Sequence, residues 1–588
     1  MSREAVAAVG RHLGNYGAAP LTDDQLGRYR GLYAHGWRLG IVLDDGSAWE
    51  LDILLPAGFP FAPPRLAVAN APPLLTWPHL EELGLLCVYD DSTLISPTRH
   101  QAVIDSLLHD GIALLEDCVA GRNVEDFRDE FMSYWSRGIT VGGPGLVSLL
   151  SPNGGHREIF VWRNRAYHVV ADTAADLVRW LANSGVRPNS RGSYTLARGL
   201  LLWPADVPLP ADYPATGSDL RRLFEGDDTA LALLANLAAH DAVRTDVVLG
   251  MKTKRGIGFG AVRPGMPRGR TDMVQKGFRP GRVPARLALQ RALSPAARTD
   301  RVEVTRADHG WVHGRDQDDR QADLRGKHVA YVGCGSLGSM VVAQLAAAGI
   351  GRHTVIDGER LKFENVVRHI LGAAQADENK AIGTVERLRR DYPHQRFDAI
   401  SRHLQAGDEE IMKVLGEVDL VVTTTGLWPV DMLLNQLHLE GSIKGVLFGW
   451  LEPEAAAAHA VTVDGKAGCL QCGFTADGAP LLPVTTWQDA GLRDIPACGG
   501  AFSAYGPNEL AAGVTLVAEA AVAALLGDTR ENHQVWVGDT RRLAGTAGRI
   551  SDAWLKADGD PGRGRFVRDR HWPHAADCAA CARKAAAA

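Results

Sequence analysis

Four of the eight cysteines occur as two Cys-x-x-Cys pairs, Cys469 with Cys472 and Cys578 with Cys581. Each such turn places two thiolates on one side of a tight loop, which is half of a tetrahedral zinc site. Two halves supply four thiolates and leave no open coordination position. The pairs therefore predict a structural Zn²⁺ site that ties the second pair back to the domain holding the first. Two unrelated turns, or a redox dithiol, are the alternatives.

A glycine-rich turn follows the apolar strand predicted at His328–Val332 and reads Gly333-x-Gly335-x-x-Gly338. Its glycines permit a tight turn and a close approach of backbone to phosphate, which the free N–H groups at the start of the next helix can bind. Asp357 ends the following strand, where its carboxylate can accept from ribose hydroxyls. This pattern predicts a nucleotide site, and taken alone it also fits a dehydrogenase.

Two cations beyond Asp357, Arg368 and Lys380, favour a triphosphate over a dinucleotide, because negative charge develops there when an adenylate forms. With Asn365, this run closely resembles the ubiquitin-activating and ThiF/MoeB-type adenylyltransferases over about residues 320–581, including both CxxC pairs, which that family uses for structural zinc. The resemblance implies ATP-dependent adenylation of a protein's C-terminal carboxylate with Mg²⁺. Asp357 would hold the ribose, Asn365 would help to position it, and Arg368 and Lys380 would contact the phosphates.

One segment departs from that family. An aspartate that handles magnesium is expected after the strand at Asp419–Val422, but the chain continues Thr423-Thr424-Thr425-Gly426. Asp431 in place of that aspartate, or a different arrangement around the metal, are both open.

Cys498 lies between the zinc pairs in the sequence IPACGGAFSAYG, flanked by proline and a Gly-Gly turn. The activating family carries its catalytic cysteine in the same interval, so the resemblance implies that Cys498 attacks the acyl-adenylate. A small buried core residue is the alternative.

Cys87 lies in a second constellation. The run Phe59–Leu66, FPFAPPRL, resembles the YPF-x-PP-x-V signature of ubiquitin-conjugating enzymes, and His79 stands in the asparagine position of their His-Pro-Asn motif. By this resemblance, which covers roughly residues 1–138, Cys87 carries a thioester that a lysine attacks. His79 would donate a hydrogen bond or help to deprotonate the amine, or it is a structural loop histidine. Asp90 and Asp91 would orient the lysine or are simply solvated, whereas Cys118 and Cys334 are predicted to pack in the core.

The elements that must position these residues form a multidomain α+β and α/β protein. The predicted domains are an α+β ubiquitin-conjugating-like fold at 1–138, an accessory middle region at 139–319 and a Rossmann-like ThiF-type adenylation fold at 320–588. In the first, a helical pattern over residues 3–35 is broken around Gly14–Pro20. Apolar residues then recur at every second position from Trp37 to Leu43 and from Trp49 to Leu55, which predicts two strands. A helical pattern over 101–135 follows.

The chain has 588 residues and a formal charge of −6 from 63 basic and 69 acidic residues. This balance argues against general nucleic-acid binding. The apolar stretch Ala511–Leu526 is interrupted by Glu519 and predicts a buried helix, and the N-terminus has no run of signal-peptide length. We therefore expect a cytoplasmic protein without a membrane span. Residues 252–282 carry many cations, which fits either a mobile basic loop or a solvated linker.

The order of these domains resembles the fused activating–conjugating enzymes of bacterial antiphage CBASS operons. This resemblance implies that a cGAS-like nucleotidyltransferase is adenylated at its C-terminus, passed to Cys498 and then Cys87, and joined to a lysine of an acceptor protein. It also implies a homodimer. Alternatives are the same relay with a ubiquitin-like protein, sulfur-carrier activation, and a scaffold without activity.

Overall fold

A computed structural model of the chain describes residues 3–89, 93, 95–139, 143–240, 245–264, 284, 287, 290, 293–465, 468–488, 491–495, 501–529 and 531–581. Contacts divide it into two compact units. Unit 1 comprises Met1–Val147, Pro152–Val170 and Ala197–Thr305, and unit 2 comprises Ser148–Ser151, Ala171–Leu196 and Arg306–Ala588. The three-domain division predicted from the sequence stays a prediction.

The first sheet has five antiparallel strands in chain order. They are β1 (Ala19–Pro20), β2 (Tyr33–Val42), β3 (Ala48–Pro56), β4 (Arg65–Val68) and β5 (Leu85–Leu86), with helices α1 (Arg3–Asn15), α2 (Asp23–Gly27), α3 (His100–Ala120), α4 (Asp126–Asp129) and α5 (Phe131–Trp135). The alternating pattern pairs Leu39 with Leu51 and Trp37 with Ile53, as predicted for a sheet with one buried face. We expected the helical pattern to extend to residue 35. This was wrong for the last three residues, because strand β2 begins at Tyr33.

The helical pattern predicted over 101–135 is divided among the three helices α3, α4 and α5. Helix α3 ends at Gly121, which adopts φ +67° and caps the last carbonyls of the helix. The chain then forms the two short helices α4 and α5. The break redirects residues 126–135 away from the axis of α3.

A second sheet has eight strands in the order β12-β11-β10-β9-β7-β8-β6-β13. Its strands are β6 (Gly145–Ser148), β7 (Arg157–Arg163), β8 (Tyr167–Ala171), β9 (Leu196–Leu202), β10 (Val247–Thr253), β11 (Gly256–Pro264), β12 (Thr299–Val302) and β13 (Val304–Arg306), with helices α6 (Ala174–Asn183), α7 (Gly217–Arg222) and α8 (Asp228–His240). Strands β10 and β11 form a hairpin. The first part of the basic stretch therefore belongs to a sheet, and residues 265–282 lie outside the described part of the chain.

The third sheet has the order β16-β15-β14-β17-β18-β19-β23-β25, and its first five strands are parallel. Its strands are β14 (His328–Val332), β15 (Arg352–Ile356), β16 (Arg396–Ile400), β17 (Leu420–Thr423), β18 (Val446–Leu451), β19 (Ala457–Val463), β23 (His533–Val537) and β25 (Phe566–Arg570); the short pairs are β20 (Thr485–Trp487) with β24 (Gly548–Ile550) and β21 (Arg493–Asp494) with β22 (Ala501–Phe502). The helices are α9 (His309–Gly314), α10 (Arg320–Gly326), α11 (Ser336–Ala347), α12 (Lys380–Asp391), α13 (Glu409–Glu417), α14 (Trp428–Leu439), α15 (Pro507–Leu526) and α16 (Asp552–Asp558). Strand order reverses between β14 and β17, which is where open α/β sheets bind ligands.

Helix α15 is long and apolar enough to cross a membrane by length and composition. Its side chains instead fill the core beside α11 and the sheet, with Val517 and Ala521 fully buried. The buried helix predicted from the sequence is thus confirmed as a core element of unit 2.

Buried histidines make unit 2 sensitive to acid. Burial lowers the pKa of His353 to about 3 and that of His394 to about 3. Because the unfolded chain takes up these protons near pH 6.5, stability is full above that pH and is lost as pH falls below it. Lowering pH from 7 to 5.5 is expected to cost about 1 kcal/mol per histidine.

Urea unfolding of the parent and of His353→Gln at both pH values tests this expectation. His353 accepts a hydrogen bond from Tyr331 and donates one to the Ile350 carbonyl, so the variant is less stable at pH 7. It should nevertheless lose less stability on acidification than the parent. An identical pH slope in both proteins would contradict the assignment.

Candidate functional site

The glycine turn after β14 has the shape predicted for phosphate binding. Gly333 adopts φ +90°, and a Cβ on Gly338 would lie 2.1 Å from the Gly333 carbonyl oxygen. A Cβ on Gly335 would meet open space. Gly335 is the residue that precedes α11, and no side chain caps the first turn of this helix. The first N–H groups of α11 are therefore available to a phosphate.

Asp357 lies at the end of β15, beside this turn. Its carboxylate accepts from the Cys334 amide at 2.6 Å and from the Glu359 amide at 2.7 Å. These two bonds fix the side chain at the rim of the turn. A carboxylate oriented in this way can still accept from ribose hydroxyls.

Lys380 begins α12 and is nearly buried, with 6% of its surface exposed. Its Nζ donates to Glu359 Oε2 at 2.5 Å, and this pairing lowers the pKa of Glu359. Asn379, which caps α12, also donates to the Asp357 carbonyl at 3.0 Å. The strand end and the helix start thus hold the carboxylate and the cation as one unit.

Arg368 is held from the opposite side, by the segment after Cys498. Its guanidinium donates to the Ser503 carbonyl at 3.1 Å and lies 4.6 Å from the centre of the Tyr505 ring. Tyr505 in turn hydrogen-bonds Ser336 in the first turn of α11 at 2.8 Å.

Glu359, Lys380, Arg368 and Tyr505 line one cavity of about 960 Å³ in unit 2, whereas Asp357 and the glycine turn are not among its lining residues. Three of the residues predicted from the sequence are in its wall, namely Asn365, Arg368 and Lys380. Ile495 and Phe502 also line it. Cys498 itself lies outside the described residues; Ile495 precedes it by three positions and Phe502 follows it by four, and both line this wall.

Asp431 is one of the alternatives left open above for the aspartate that the chain lacks around Gly426. It lies in the first turn of α14 and accepts from Thr423 Oγ1 at 2.8 Å. Burial raises its pKa to about 6, against hydrogen bonds from Thr423 and Thr425 that lower it. The carboxyl therefore lies at the end of β17. Its buried surroundings favour the protonated form, whereas a carboxyl that binds a metal ion is ionised.

The four CxxC cysteines form one cluster. The Sγ atom of Cys469 lies 3.9 Å from that of Cys472 and 3.7 Å from that of Cys578, and Cys472 lies 3.6 Å from Cys581. Four sulfurs at about 2.3 Å from a central zinc would be about 3.8 Å apart. The donor set and its spacing therefore fit a tetrahedral Zn²⁺ site, as predicted.

Trp572 anchors the second cysteine pair to the first. Its indole donates to the Cys469 carbonyl at 3.0 Å, and its backbone amide donates to Asn532 at 2.8 Å. The ring is 4% exposed and packs against Trp450 and His533. The cluster thus joins the end of β19 to the segment after β25.

Cys87 in unit 1 is exposed, whereas Cys118 and Cys334 are buried as predicted. Cys87 is the last residue of a tight hairpin over residues 79–87. In this hairpin the Cys87 amide donates to the His79 carbonyl at 2.8 Å, and the Glu81 amide donates to the Leu85 carbonyl at 2.7 Å. The hairpin brings Cys87 next to His79 across the strand pair and diagonal to Glu81.

His79 is held by three groups from the segment after α3. Its amide donates to the Tyr134 hydroxyl at 3.0 Å, its Nε2 donates to Asp126 at 3.0 Å, and its Nδ1 lies 3.8 Å from Glu130. Tyr134 donates onward to Glu130 at 3.1 Å. Because both ring nitrogens face carboxylates, this histidine is oriented firmly at its non-glycine φ of +58°.

The surroundings of Cys87 disfavour ionisation of its thiol to the thiolate. Although Cys87 is exposed at the surface, partial shielding of its sulfur from solvent raises its pKa; the carboxylates of Glu81 and Glu130 raise it further, while Arg65 lowers it. Arg65 donates to Glu81 at 2.6 Å and so offsets part of that carboxylate's effect. A thiol of this kind is protected from adventitious alkylation at neutral pH.

Glu81→Gln is expected to lower the pKa of Cys87 and to speed its alkylation by iodoacetamide at pH 7.5 by about threefold to tenfold. The rate is read by mass spectrometry of the Cys87 peptide. Glu82→Gln is the matched control, since its side chain is 77% exposed and faces Arg30 at 3.9 Å. Equal rates for the two variants would contradict the role given to Glu81.

Several of these residues were missed by sequence reasoning: Arg65, Glu81, Asp126, Glu130, Tyr134 and Glu359. No spacing rule in the sequence connects them to the cysteine or the glycine turn, because each reaches its site through a tertiary contact. Asp90 and Asp91, which we expected near the acceptor lysine, lie outside the described residues.

Comparison with known proteins gives two matched regions. The ThiF family matches residues 313–533, and prokaryotic E2 family B matches residues 15–141. Each match contains one of the two candidate sites described above.

Three relatives are similar to parts of the chain. A sulfur carrier protein adenylyltransferase from Thermus thermophilus is 30% identical over 190 residues, which cover 31% of this chain and 69% of the relative. The ATP-dependent ubiquitin transferase-like protein Cap2 from Pseudomonas aeruginosa is 25% identical over 383 residues, covering 62% of this chain and 64% of Cap2. The adenylyltransferase and sulfurtransferase MOCS3 from Mus musculus is 36% identical over 226 residues, covering 38% of this chain and 48% of MOCS3.

Proposed function

We infer the function from the premise that this chain belongs to the ThiF family and carries a prokaryotic E2-like domain ahead of its ThiF region. The protein is an ATP-dependent activating and conjugating enzyme that acts on a protein substrate through its C-terminus. The identity of that substrate, the order of the steps and the residues that perform them are our proposals.

The first proposed step is adenylation. A carboxylate oxygen of the substrate's C-terminus attacks the α-phosphorus of ATP, and pyrophosphate leaves. The glycine turn and the start of α11 receive phosphate, Asp357 holds the ribose with help from Asn365, and Arg368 and Lys380 offset the developing negative charge. Mg²⁺ would neutralise phosphate charge beside these cations, and Zn²⁺ would be held by the four clustered cysteines.

The next steps are two acyl transfers through thioesters. The Cys498 thiolate attacks the acyl carbon and AMP leaves, and then Cys87 takes the acyl group by thiol exchange. A lysine amine of the acceptor attacks the Cys87 thioester, the C–S bond breaks and an isopeptide bond forms. His79, beside Cys87, would donate a hydrogen bond to the oxygen that gains charge or accept a proton from the amine, and either role requires its ring to exchange its contact with Asp126 or Glu130.

The observation that carries this proposal is the composition of the 960 Å³ cavity wall. Two cations expected at a triphosphate and the residues on either side of Cys498, Ile495 and Phe502, belong to the same wall. A thioester relay requires Cys498 to reach an acyl-adenylate, a need that a simple nucleotide-binding scaffold does not have, and the presence of Ile495 and Phe502 in this wall supports the relay.

We propose that the acyl substrate is a cGAS-like nucleotidyltransferase, by resemblance to the enzymes of CBASS operons, and that the reaction serves antiphage defence in the cytoplasm. The active enzyme would be a homodimer. The similarity to Cap2, a ubiquitin transferase-like protein by name, supports conjugation over sulfur-carrier activation.

Trapping of thiol-labile adducts tests the relay. The tagged chain is expressed in its own host with its gene neighbours, as the parent, as Cys498→Ala and as Cys87→Ala, and adducts are compared on non-reducing gels and by mass spectrometry. We expect an adduct on Cys87 that disappears in Cys498→Ala, and its C-terminal peptide names the substrate.

Three other results would change the assignment. An adduct confined to Cys498 and unaffected by Cys87→Ala would indicate carrier activation, as in the sulfur carrier protein adenylyltransferase relative. A ubiquitin-like protein on Cys87 would keep the mechanism and replace the substrate. ATP consumption with no adduct on either cysteine would rule out the thioester route.

A further inference from the structure

A short segment of unit 1, residues 126–137, lies between the first and the second sheet. It contains α4, α5 and the turn between them, and it exists because α3 ends at Gly121. One side of this segment contacts the hairpin of Cys87, and the other contacts the strands of the second sheet. We call it the bridging segment.

On the first side, within the described part of the chain, the side chains that contact His79 through hydrogen bonds or ion pairs all come from the bridging segment: Asp126, Glu130 and Tyr134. Arg137, at the end of the segment, donates to the carbonyl of Leu80 at 2.6 Å. The hairpin 79–87 is thus attached to the bridging segment at two consecutive residues.

On the second side, two aromatic residues of the bridging segment pack against the second sheet. Phe131 and Trp135 are each 1% exposed, and the Trp135 indole donates to the Val302 carbonyl at 3.0 Å. Their rings lie directly over β11, because a Cβ on Gly260 would be 2.7 Å from the Trp135 ring and one on Gly258 would be 3.3 Å from Phe131. At Gly260 a Cβ would clash with the Trp135 ring, so glycine there permits the close approach of ring and strand.

The tip of the β10–β11 hairpin adds two ion pairs. Arg255 Nη1 lies 2.9 Å from Glu130 Oε1, and Lys254 Nζ lies 3.2 Å from Asp129 Oδ2. The two cations belong to the basic stretch for which sequence analysis gave no role. They differ in the acid that each one pairs with. Glu130 accepts from Tyr134 and approaches His79, whereas the side chain of Asp129 bonds Lys254.

We propose that the second sheet positions the conjugating site, with Arg255 acting on His79 and Cys87 through Glu130 of the bridging segment. Arg255 is a positioning residue in this arrangement, because it touches neither Cys87 nor the acyl group. This inference rests on the proposed function only for its consequence in acyl transfer, since the positioning itself is independent of any substrate.

The chemical consequence concerns the leaving group. When an amine attacks the thioester, sulfur departs from carbon as a thiolate, and negative groups nearby disfavour it. Glu81 and Glu130 are such groups, Arg65 opposes them, and Arg255 neutralises Glu130 while leaving it able to accept from Tyr134. Without Arg255, the Glu130 carboxylate loses its paired cation, so its charge acts more strongly on Cys87 and its side chain is no longer held against Tyr134 from that side.

The test uses the full chain and needs neither ATP nor an acyl substrate. Arg255→Ala is compared with the parent, with Arg255→Lys and with the neighbouring control Lys254→Ala. Hydrogen exchange of the peptide covering residues 79–87 reports the hairpin, and iodoacetamide labelling of Cys87 between pH 6.5 and 9.5 reports its titration.

We expect Arg255→Ala to speed exchange in the 79–87 peptide about fivefold and to slow Cys87 labelling at pH 7.5 about twofold to threefold, with the titration midpoint moved upward. Arg255→Lys should restore the midpoint, and Lys254→Ala should match the parent. Parent-like exchange and labelling in Arg255→Ala would overturn the proposal, as would equal changes in Lys254→Ala.

A second pair of variants acts from inside the second sheet. Gly260→Ala pushes on Trp135, whereas Gly145→Ala in β6 meets open space. Faster exchange at residues 79–87 in the first and not in the second supports the coupling, and unchanged exchange in Gly260→Ala contradicts it. The thioester relay is tested separately from this coupling. If the relay is wrong, the parent protein carries no adduct on Cys87 even though the variants change exchange and labelling as expected.

Discussion

Replacing Lys380 by glutamine is expected to weaken the binding of ATP about 10- to 100-fold, because a charge-assisted hydrogen bond is worth about 1.5–3 kcal/mol. Lys380 is the buried cation of the cavity wall, and its ammonium already lies against Glu359. The substitution removes the cation and also leaves the Glu359 carboxylate unpaired near the triphosphate. Both effects act in the same direction, so this is the largest loss of affinity that we expect from one side chain.

Isothermal titration with a non-hydrolysable ATP analogue measures the effect. Arg360→Gln is the matched control, since Arg360 lines the same cavity but its guanidinium bonds the Asp377 carbonyl. The double variant Glu359→Gln/Lys380→Gln should recover part of the lost affinity, because it removes the exposed negative charge. Parent-like affinity in Lys380→Gln would remove this lysine from the nucleotide site.

Chelation of zinc, or Cys578→Ser, is expected to lower the melting temperature of unit 2 by at least about 10 °C. Structural zinc in small domains contributes about 10–16 kcal/mol of binding free energy, which is as large as the whole net stability of a typical domain. Here the metal would hold the segment carrying Trp572, which covers the Cys469 turn and packs beside β18 and β23. Loss of the metal frees that aromatic cover.

Metal analysis and calorimetry together decide this prediction. The parent should contain one zinc per chain and Cys578→Ser should contain none, while Cys118→Ser should keep its zinc. Cys118 is a suitable control because it is buried in unit 1 and bonds Pro78 and Asn123, contacts that a serine hydroxyl can reproduce. A metal-free parent whose paired cysteines form disulfides on oxidation would indicate the redox alternative.

Sequence patterns were sufficient where chemistry depends on neighbours along the chain. The glycine turn, Asp357 at the end of β15 and the spacing inside each CxxC pair are local features, and the structure has all of them. The joining of the two CxxC pairs was also predictable, because zinc demands four ligands and each turn supplies two.

The same patterns failed where a position depends on a tertiary contact or on a break in an element. A continuous helical pattern over residues 101–135 gave no sign that Gly121 would end α3 and turn Tyr134 toward His79. Glu130 is one acidic residue among several in its stretch, and its relation to Cys87 arises only through the fold. Glu359 likewise gains its importance from Lys380, which lies on a different element.

The packing of Phe131 and Trp135 on β11 decides where this protein can be divided for laboratory work. A fragment cut at residue 138, the limit suggested by similarity to conjugating enzymes, would carry both rings without the strand that covers them, and such apolar surface promotes self-association. A fragment that continues through Val302 keeps the cover and the Trp135 hydrogen bond. For crystallisation, labelling or grafting onto another protein, the smallest practical unit is therefore about 300 residues long rather than 138.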